Sequence, residues 1–213
     1  MQKSGSNLSP RSMAILTEHP NGAEYLGKFS ASRMVQYCRA VDRCFTGSAP
    51  MLEELCEAYG ENLVVTWLSS LIYDLNEFVG QRQQTPQQSD ALAWMLLDEA
   101  KQYKLTEVMF FFYRYKQGLQ GEFYGGVNSG KVLNDLKKFK EVQGEILHRC
   151  YERERIVREE AERANRKKTA ITREEYMYII TWEAYYGDED ALDALEAAYA
   201  AEEAREELGM TNH

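Results

Sequence analysis

Apolar residues recur at intervals of three and four along most of the chain, which is the spacing of one face of an α-helix. The most apolar segment, residues 62–78, is predicted to form a helix at the centre of the core. A second segment, residues 106–117, is apolar on every side and must be covered by several neighbours. Only four prolines interrupt the chain, which favours long helices over the many turns of a β-sandwich. The pattern predicts an all-α fold, a multi-helix bundle of about seven or eight helices.

Capping residues predict where individual helices begin. Thr85 followed by Pro86 is a strong start signal, and Thr172, with a glutamate three residues later, forms a capping box for another helix. Thr106 is predicted to cap the aromatic helix. One continuous helix is expected from a cap at Ser30 or Ser32 through Phe45, because its apolar residues fall on one face: Met34, Tyr37, Cys38, Val41 and Phe45.

A glycine-rich stretch, residues 118–128, separates the aromatic helix from a long basic helix. At most a small β-hairpin is expected there. The helix that follows is predicted from Ser129 to about Arg166, with an apolar face up to Tyr151 and an alternating-charge extension beyond it. The predicted organisation is a disordered N-terminus (1–8), a helical core domain (9–151), a charged helical arm (152–168) and acidic C-terminal helices (169–213).

Charge is divided unevenly along the chain. The net charge of −9 combines −5 for residues 1–100, +6 for residues 101–168 and −10 for residues 169–213. A basic middle next to an acidic tail indicates a segment that attracts an anionic partner and a segment that repels one.

Basic and aromatic side chains concentrate around the glycine-rich turn. The candidate nucleic-acid-binding residues are Arg114, Lys116, Tyr124, Lys131, Lys137, Lys138 and Lys140. Lysine and arginine neutralise phosphates and aromatic rings stack on unpaired bases, so this composition suits a backbone-tracking, single-strand interface. The alternative interpretation is that the aromatic residues belong to the core and the lysines to a solvated helix face.

Residues 125–132, GGVNSGKV, come close to a phosphate-binding P-loop. The two glycines and the lysine have the right spacing, but Val132 replaces the Ser or Thr that would hold magnesium. A nucleotide hydrolase requires a long apolar strand before this loop, and none precedes it here. The favoured interpretation is a turn that caps a helix, and a degenerate nucleotide-binding protein is the least favoured alternative.

Cysteine and histidine positions indicate neither a metal site nor a catalytic site. Cys38 and Cys44 lie six residues apart, on different faces of the predicted helix, and no CxxC pair or Cys/His cluster is present. No nucleophile and base stand in a recognisable arrangement. We therefore predict a non-enzymatic protein without metal or cofactor. The chain shows no evident signal peptide or apolar membrane span, so we expect a cytoplasmic location and no membrane partner.

The block from Leu105 to Phe139 is similar to a pattern in uncharacterised proteins of gut Bacteroidales phages and integrative elements. In those proteins a helix ending in Lys-x-Gly leads to Gly-x-Phe/Leu-Tyr-Gly, a basic helix and a charged arm. The matching positions are Lys116, Gly118, Gly121, Phe123, Tyr124, Gly125 and the helix from Ser129 to Tyr151. That family commonly has an arginine after the Tyr-Gly pair, where this chain has Gly126. The resemblance implies a mobile element as the setting, with an accessory role in replication or DNA handling.

Two function classes follow from these observations. The first is a nucleic-acid-associated accessory protein of a phage or mobile element. The second is a protein-interaction or scaffold module acting through its charged helical arm, with another protein or a second copy bound through residues 152–208. The helix that the Thr172 capping box opens is apolar enough to need a partner, through Tyr176, Ile179, Ile180 and Trp182. The acidic C-terminal helices are either solvated, a cover for the basic segment, or a mimic of nucleic-acid charge.

Overall fold

The structure of the protein is a computed structural model that describes residues 8–80, 84–124 and 126–207. The chain divides into two compact units, which we call the N-terminal unit and the C-terminal unit, with the boundary between Glu154 and Arg155. Nearly all of the predicted disordered N-terminus and the end of the chain beyond Glu207 lie outside the described residues.

Helices form both units, and the predicted all-α fold is confirmed. The N-terminal unit contains α1 (Pro10–Glu18), α2 (Gly22–Gly27), a short 3-10 helix (Ala31–Arg33), α3 (Met34–Cys38), α4 (Val41–Thr46), α5 (Leu52–Tyr59), α6 (Glu61–Val79), α7 (Pro86–Ala100) and α8 (Leu105–Lys116). The long helix α9 (Ser129–Thr169) crosses the boundary, and the C-terminal unit continues with α10 (Arg173–Tyr185) and α11 (Glu189–Glu207). In the described ranges no strand forms, and the one β-type pairing is an isolated bridge between Met51 and Lys104.

Helices α6 and α8 form the centre of the N-terminal unit, as their apolar patterns predicted. Leu68, Leu71 and Ile72 of α6 are fully buried, and α6 contacts α5, α7 and α8. The whole run of residues 109–112 in α8 is buried. Phe78, one residue before α6 ends at Val79, is instead 56% exposed.

One face of α9 closes this core. Phe139 is buried and its ring contacts those of Phe45, Tyr103, Phe110 and Phe111, with ring centroids 5.4–6.4 Å apart. Five aromatic side chains from four parts of the sequence therefore meet at one point, which fixes α9 against the bundle.

The end of the apolar face of α9 is held by one residue of α4. The Arg153 guanidinium donates to the Asp42 carboxylate at 2.8 Å. Cys150, one turn earlier, is the last buried residue of α9 within residues 129–168, where burial is described. Helix α9 continues through Gly144 without a break.

The helix predicted over residues 30–45 is broken, which corrects the sequence interpretation. The backbone of Ala40 leaves helical geometry between α3 and α4 (φ −98°, ψ 77°). The break allows Cys38 and Cys44, which a continuous helix would place on different faces, both to lie in the core. Interaction with the Cys44 thiol, followed by burial, raises the pKa of Cys38.

The capping predictions were right for two helices and wrong for a third. The Thr85 hydroxyl accepts a hydrogen bond from the backbone N–H of residue 88, and Thr172 forms the predicted reciprocal box with Glu175 (2.8 and 3.1 Å). Helix α8 begins at Leu105 instead, because the Thr106 hydroxyl donates to the buried Cys44 carbonyl at 2.7 Å.

No helix in the described ranges is both long enough and apolar enough to cross a lipid bilayer. In the glycine-rich stretch between α8 and α9, the described residues form turns rather than the small hairpin allowed by the sequence.

Candidate functional site

Lys131, the lysine of the P-loop-like sequence, fastens the glycine-rich turn to α9. Its ammonium group donates to the Asp135 carboxylate and to the Gln120 carbonyl, both at 2.6 Å. The same nitrogen lies 5.4 Å from the ring centroids of Tyr115 and Phe123. Two charge-assisted hydrogen bonds and two cation–π contacts therefore already occupy this side chain.

Tyr115 and Phe123 are part of the interior beneath this lysine. Their rings stack with centroids 4.9 Å apart, and both are buried. The Tyr115 hydroxyl donates to the Asp135 carboxylate at 2.9 Å. Burial and then this carboxylate raise the pKa of Tyr115, which keeps its hydroxyl protonated as a donor. Neither ring is available to stack on a base.

The two predicted cations at the end of α8 are also drawn into the N-terminal unit. The Lys116 ammonium lies 2.5 Å from the Asp74 carboxylate of α6 and 5.5 Å from the Phe78 ring centroid. Arg114 is half-buried, and its Nε has no hydrogen-bond partner among the described residues. Lys116 thus joins α8 to α6 rather than facing solvent as a free charge.

The remaining predicted residues are exposed. Lys137 pairs with Glu99 of α7 at 3.4 Å. Lys138 and Lys140 form no ion pair with any residue that the structure describes. The Tyr124 side chain, next to the turn, is 92% exposed. Of the six predicted cations, three are therefore engaged by carboxylates of the N-terminal unit, and the two free lysines lie on α9.

A different surface, on α10 and its C-cap residue Tyr186, displays a cluster of aromatic side chains, which we call the aromatic face. It consists of Tyr178, Trp182, Tyr185 and Tyr186, which are 45–80% exposed. The Trp182 ring centroid lies 6.3, 6.1 and 5.5 Å from those of Tyr178, Tyr185 and Tyr186. Sequence reasoning identified Trp182 but missed the three tyrosines, although their spacing to Trp182 places them within one helical turn of it.

The opposite side of α10 is the one that packs on α11. The least exposed residues of α10 are Met177, Ile180 and Ala184, at the spacing of one helix face. Of the described residues in the C-terminal unit, only Ile180 and Ala191 are buried. The contact between the two helices therefore uses small and aliphatic side chains and leaves the aromatic face outward.

A groove lies beside the aromatic face. It has a volume of about 460 Å³ and is lined by Ile171, Glu174, Glu175, Tyr178 and Ile179. Its walls are mostly apolar, with the two glutamates as its charged groups. The Glu175 carboxylate accepts the backbone hydrogen bond of the capping box, so one of its oxygens is already used.

No group of three or more His, Cys, Asp or Glu side chains in the described part of the chain is arranged to hold a metal ion. Two surfaces are therefore candidates for binding. One is the basic turn, where carboxylates of the N-terminal unit already pair with three of the lysines, and the other is the aromatic and acidic helix α10.

The sequence model of a family of unknown function, DUF6633, matches residues 83–192. This match covers just over half of the 213-residue chain, so the chain belongs to that family. The matched range includes α7 to α10, and so both the basic turn and the aromatic face. No curated protein and no solved structure is significantly similar to the chain.

Proposed function

We propose that this member of DUF6633 is a non-enzymatic protein-interaction module whose partner binds the aromatic face of α10. One observation carries the proposal. Four aromatic side chains touch one another on the outside of a helix whose opposite side already packs on α11. Contiguous exposed apolar patches mark interaction sites, and tryptophan and tyrosine are the residues that most often dominate binding energy there.

Energies favour this surface over the basic turn. Burying a large apolar side chain contributes about 1.5–3 kcal/mol relative to leaving it exposed. An exposed ion pair contributes roughly 0–1 kcal/mol. The aromatic face therefore offers a partner more binding energy than Lys138 and Lys140 together, and it offers it at a single contiguous patch.

Site-specific crosslinking tests the proposal. A photoreactive amino acid replaces Tyr185 in the full-length chain, and a matched variant carries it at Tyr124, which is even more exposed but lies in the N-terminal unit. We expect a discrete adduct with one protein from Tyr185 and not from Tyr124. The crosslinked partner is identified by mass spectrometry. The affinity of that partner, purified, for the wild-type protein and for Trp182→Ala is then measured.

The expected loss of affinity in Trp182→Ala is at least about tenfold. An equal affinity of wild-type and variant, or adducts at Tyr124 alone, would contradict the proposal. Adducts between two copies of the chain would identify the partner as the protein itself.

A nucleic-acid-associated accessory role is the second candidate. The observations that favour it are the exposed Lys138 and Lys140 on α9 and the exposed Tyr124 ring. The resemblance to proteins of Bacteroidales phages and integrative elements supports the same candidate, with a mobile element as its setting. It requires far fewer phosphate contacts than the sequence pattern suggested, because three of the lysines already have carboxylate partners.

Salt-dependent binding to single-stranded DNA tests this second candidate. Replacing Lys138 and Lys140 with alanine removes two phosphate contacts and should reduce the slope of log affinity against log salt by about two. Lys167→Ala with Lys168→Ala makes the same change in charge on the same helix and serves as the control. Absence of binding at low salt, even after removal of residues 187–213, would eliminate the candidate.

A further inference from the structure

Carboxylates outnumber cations throughout the segment that carries the aromatic face. Residues 170–207 contain twelve acidic side chains and two basic ones, Arg173 and Arg205, a net charge of −10. Two cations cannot neutralise twelve carboxylates, whatever pairs they form. The aromatic face therefore lies on a segment of strongly negative net charge.

Some of these carboxylates are one helical turn along the chain from residues of the aromatic face. Glu174 is one helical turn before Tyr178, and Glu183 is one turn before the end of the aromatic face at Tyr186. Glu174 also lines the groove next to Tyr178. An apolar side chain that enters the groove thus lies near the glutamates of its lining, and a cation next to it in the partner can pair with them.

This combination discriminates between classes of partner. A nucleic acid or an anionic lipid surface carries phosphates and is repelled by a segment of charge −10. A second copy that presents the same face brings ten further excess negative charges into the contact. A protein segment with apolar and basic residues satisfies both the rings and the carboxylates.

The shape of the surface indicates the conformation of that segment. Helix α10 has 13 residues and is about 20 Å long. Its rings and the groove run along its axis rather than forming a closed pocket. An amphipathic helix laid alongside presents apolar side chains every three or four residues, with lysines and arginines on either flank of that stripe.

We propose that the aromatic face and its groove bind a basic amphipathic helix of a partner protein. This inference rests on the proposed function and adds the chemistry of the partner. Apolar residues of the incoming helix cover Trp182 and Tyr185 and fill the groove, and its cations lie against Glu174 and Glu183.

Peptide binding to the full-length protein tests the inference. The probe is a fluorescently labelled peptide of about 18 residues, with leucines along one helical face and lysines elsewhere. One control peptide has the same composition in an order without a continuous apolar face, and a second has glutamate in place of each lysine. Anisotropy titrations give the affinities, and circular dichroism establishes that each protein variant is folded.

We expect the basic amphipathic peptide to bind at least about tenfold more tightly than either control. Trp182→Ala and Glu174→Lys should each weaken it by roughly tenfold, because one removes the ring at the centre of the cluster and the other reverses a charge beside the groove. Trp94→Ala and Glu77→Lys make the same substitutions on exposed positions of the N-terminal unit and should leave the affinity unchanged.

Equal binding of the scrambled peptide would reduce the effect to net charge and overturn the inference, as would equal binding of the acidic peptide or no binding at all. The crosslinking experiment separates this failure from failure of the proposed function. If the protein captured through Tyr185 has a neutral or acidic contact segment, the proposed interaction module stands and the proposal of a basic helix is wrong. Absence of any captured protein removes both.

Discussion

The two units of the chain use the same residue types in opposite ways. In the N-terminal unit the rings of Phe110, Phe111 and Phe112 are buried under neighbouring helices. In the C-terminal unit the rings of Trp182 and Tyr185 face outward. Both groups of rings lie on helices of similar length, α8 and α10. The difference in their exposure therefore follows from the number of helices that cover them. Aromatic residues stabilise the fold where several helices surround them and remain available for binding where only one does.

The same contrast holds for charge. The N-terminal unit pairs cations of one helix with carboxylates of another, as in Lys116 with Asp74 and Lys137 with Glu99. The C-terminal unit has ten more carboxylates than cations over residues 170–207. Balanced charges hold elements together, whereas an unbalanced set attracts a complementary partner.

The largest expected effect comes from removing a buried ring. Phe111→Ala deletes a fully buried side chain that contacts Phe112, Tyr115 and Phe139. Because the surrounding helices can close the cavity only partly, the free energy of unfolding should fall by about 3–5 kcal/mol. Urea denaturation followed by circular dichroism measures the change. A loss below about 1 kcal/mol would mean that this cluster is not the core of the unit.

An intermediate effect is expected at the glycine-rich turn. Lys131→Ala leaves the Asp135 carboxylate, which is mostly buried, without its cation and frees the Gln120 carbonyl. The free energy of unfolding should fall by about 1–3 kcal/mol. Lys138→Ala, the matched control, removes an exposed lysine from the same helix and should change it by less than about 0.5 kcal/mol.

The same pair of variants decides the nucleotide hypothesis. Because the Lys131 ammonium is already bonded on both sides, we expect ATP to give no thermal stabilisation of the wild-type protein. If ATP raised the melting temperature of the wild type and not that of Lys131→Ala, the result would support nucleotide binding at the P-loop-like sequence.

The sequence was sufficient for features that depend on local composition. The burial of α8 followed from a run that is apolar on every side, and the start of α10 from the capping box at Thr172. The break at Ala40 was not predictable, because it depends on both Cys38 and Cys44 packing into the core, which the neighbouring helices determine. Local pattern does not contain that information.

The predicted basic site fared differently because its partners are far away in sequence. Lys116 is neutralised by Asp74 and Lys137 by Glu99, each about 40 residues earlier, and tertiary packing alone brings them together. The pairing of Lys131 with Asp135 was visible in principle, since the two residues are four apart on a helix.

The next prediction concerns the helix that carries the aromatic face. Thr172→Ala removes the hydroxyl that accepts the Glu175 backbone N–H, and should destabilise the first turn of α10 by about 1 kcal/mol. Amide hydrogen exchange over residues 173–185 measures this local effect. Thr181→Ala makes the same substitution in the middle of the same helix, where it removes only a bond to the Met177 carbonyl, and should leave exchange of the first turn unchanged. Altered protection in the N-terminal unit would show that the two units do not respond separately.

The smallest expected effect on stability is the most informative for function. Trp182→Ala removes a ring that is 45% exposed and whose aromatic neighbours are Tyr178, Tyr185 and Tyr186. The free energy of unfolding should change by less than about 0.5 kcal/mol, as for other surface substitutions. The same variant should bind the basic peptide roughly tenfold more weakly. Phe111→Ala is its counterpart, because it costs stability without touching the binding surface. If Trp182→Ala destabilised the protein as much as Phe111→Ala does, the aromatic face would belong to a core. The contrast between rings that stabilise the fold and rings available for binding would then be wrong.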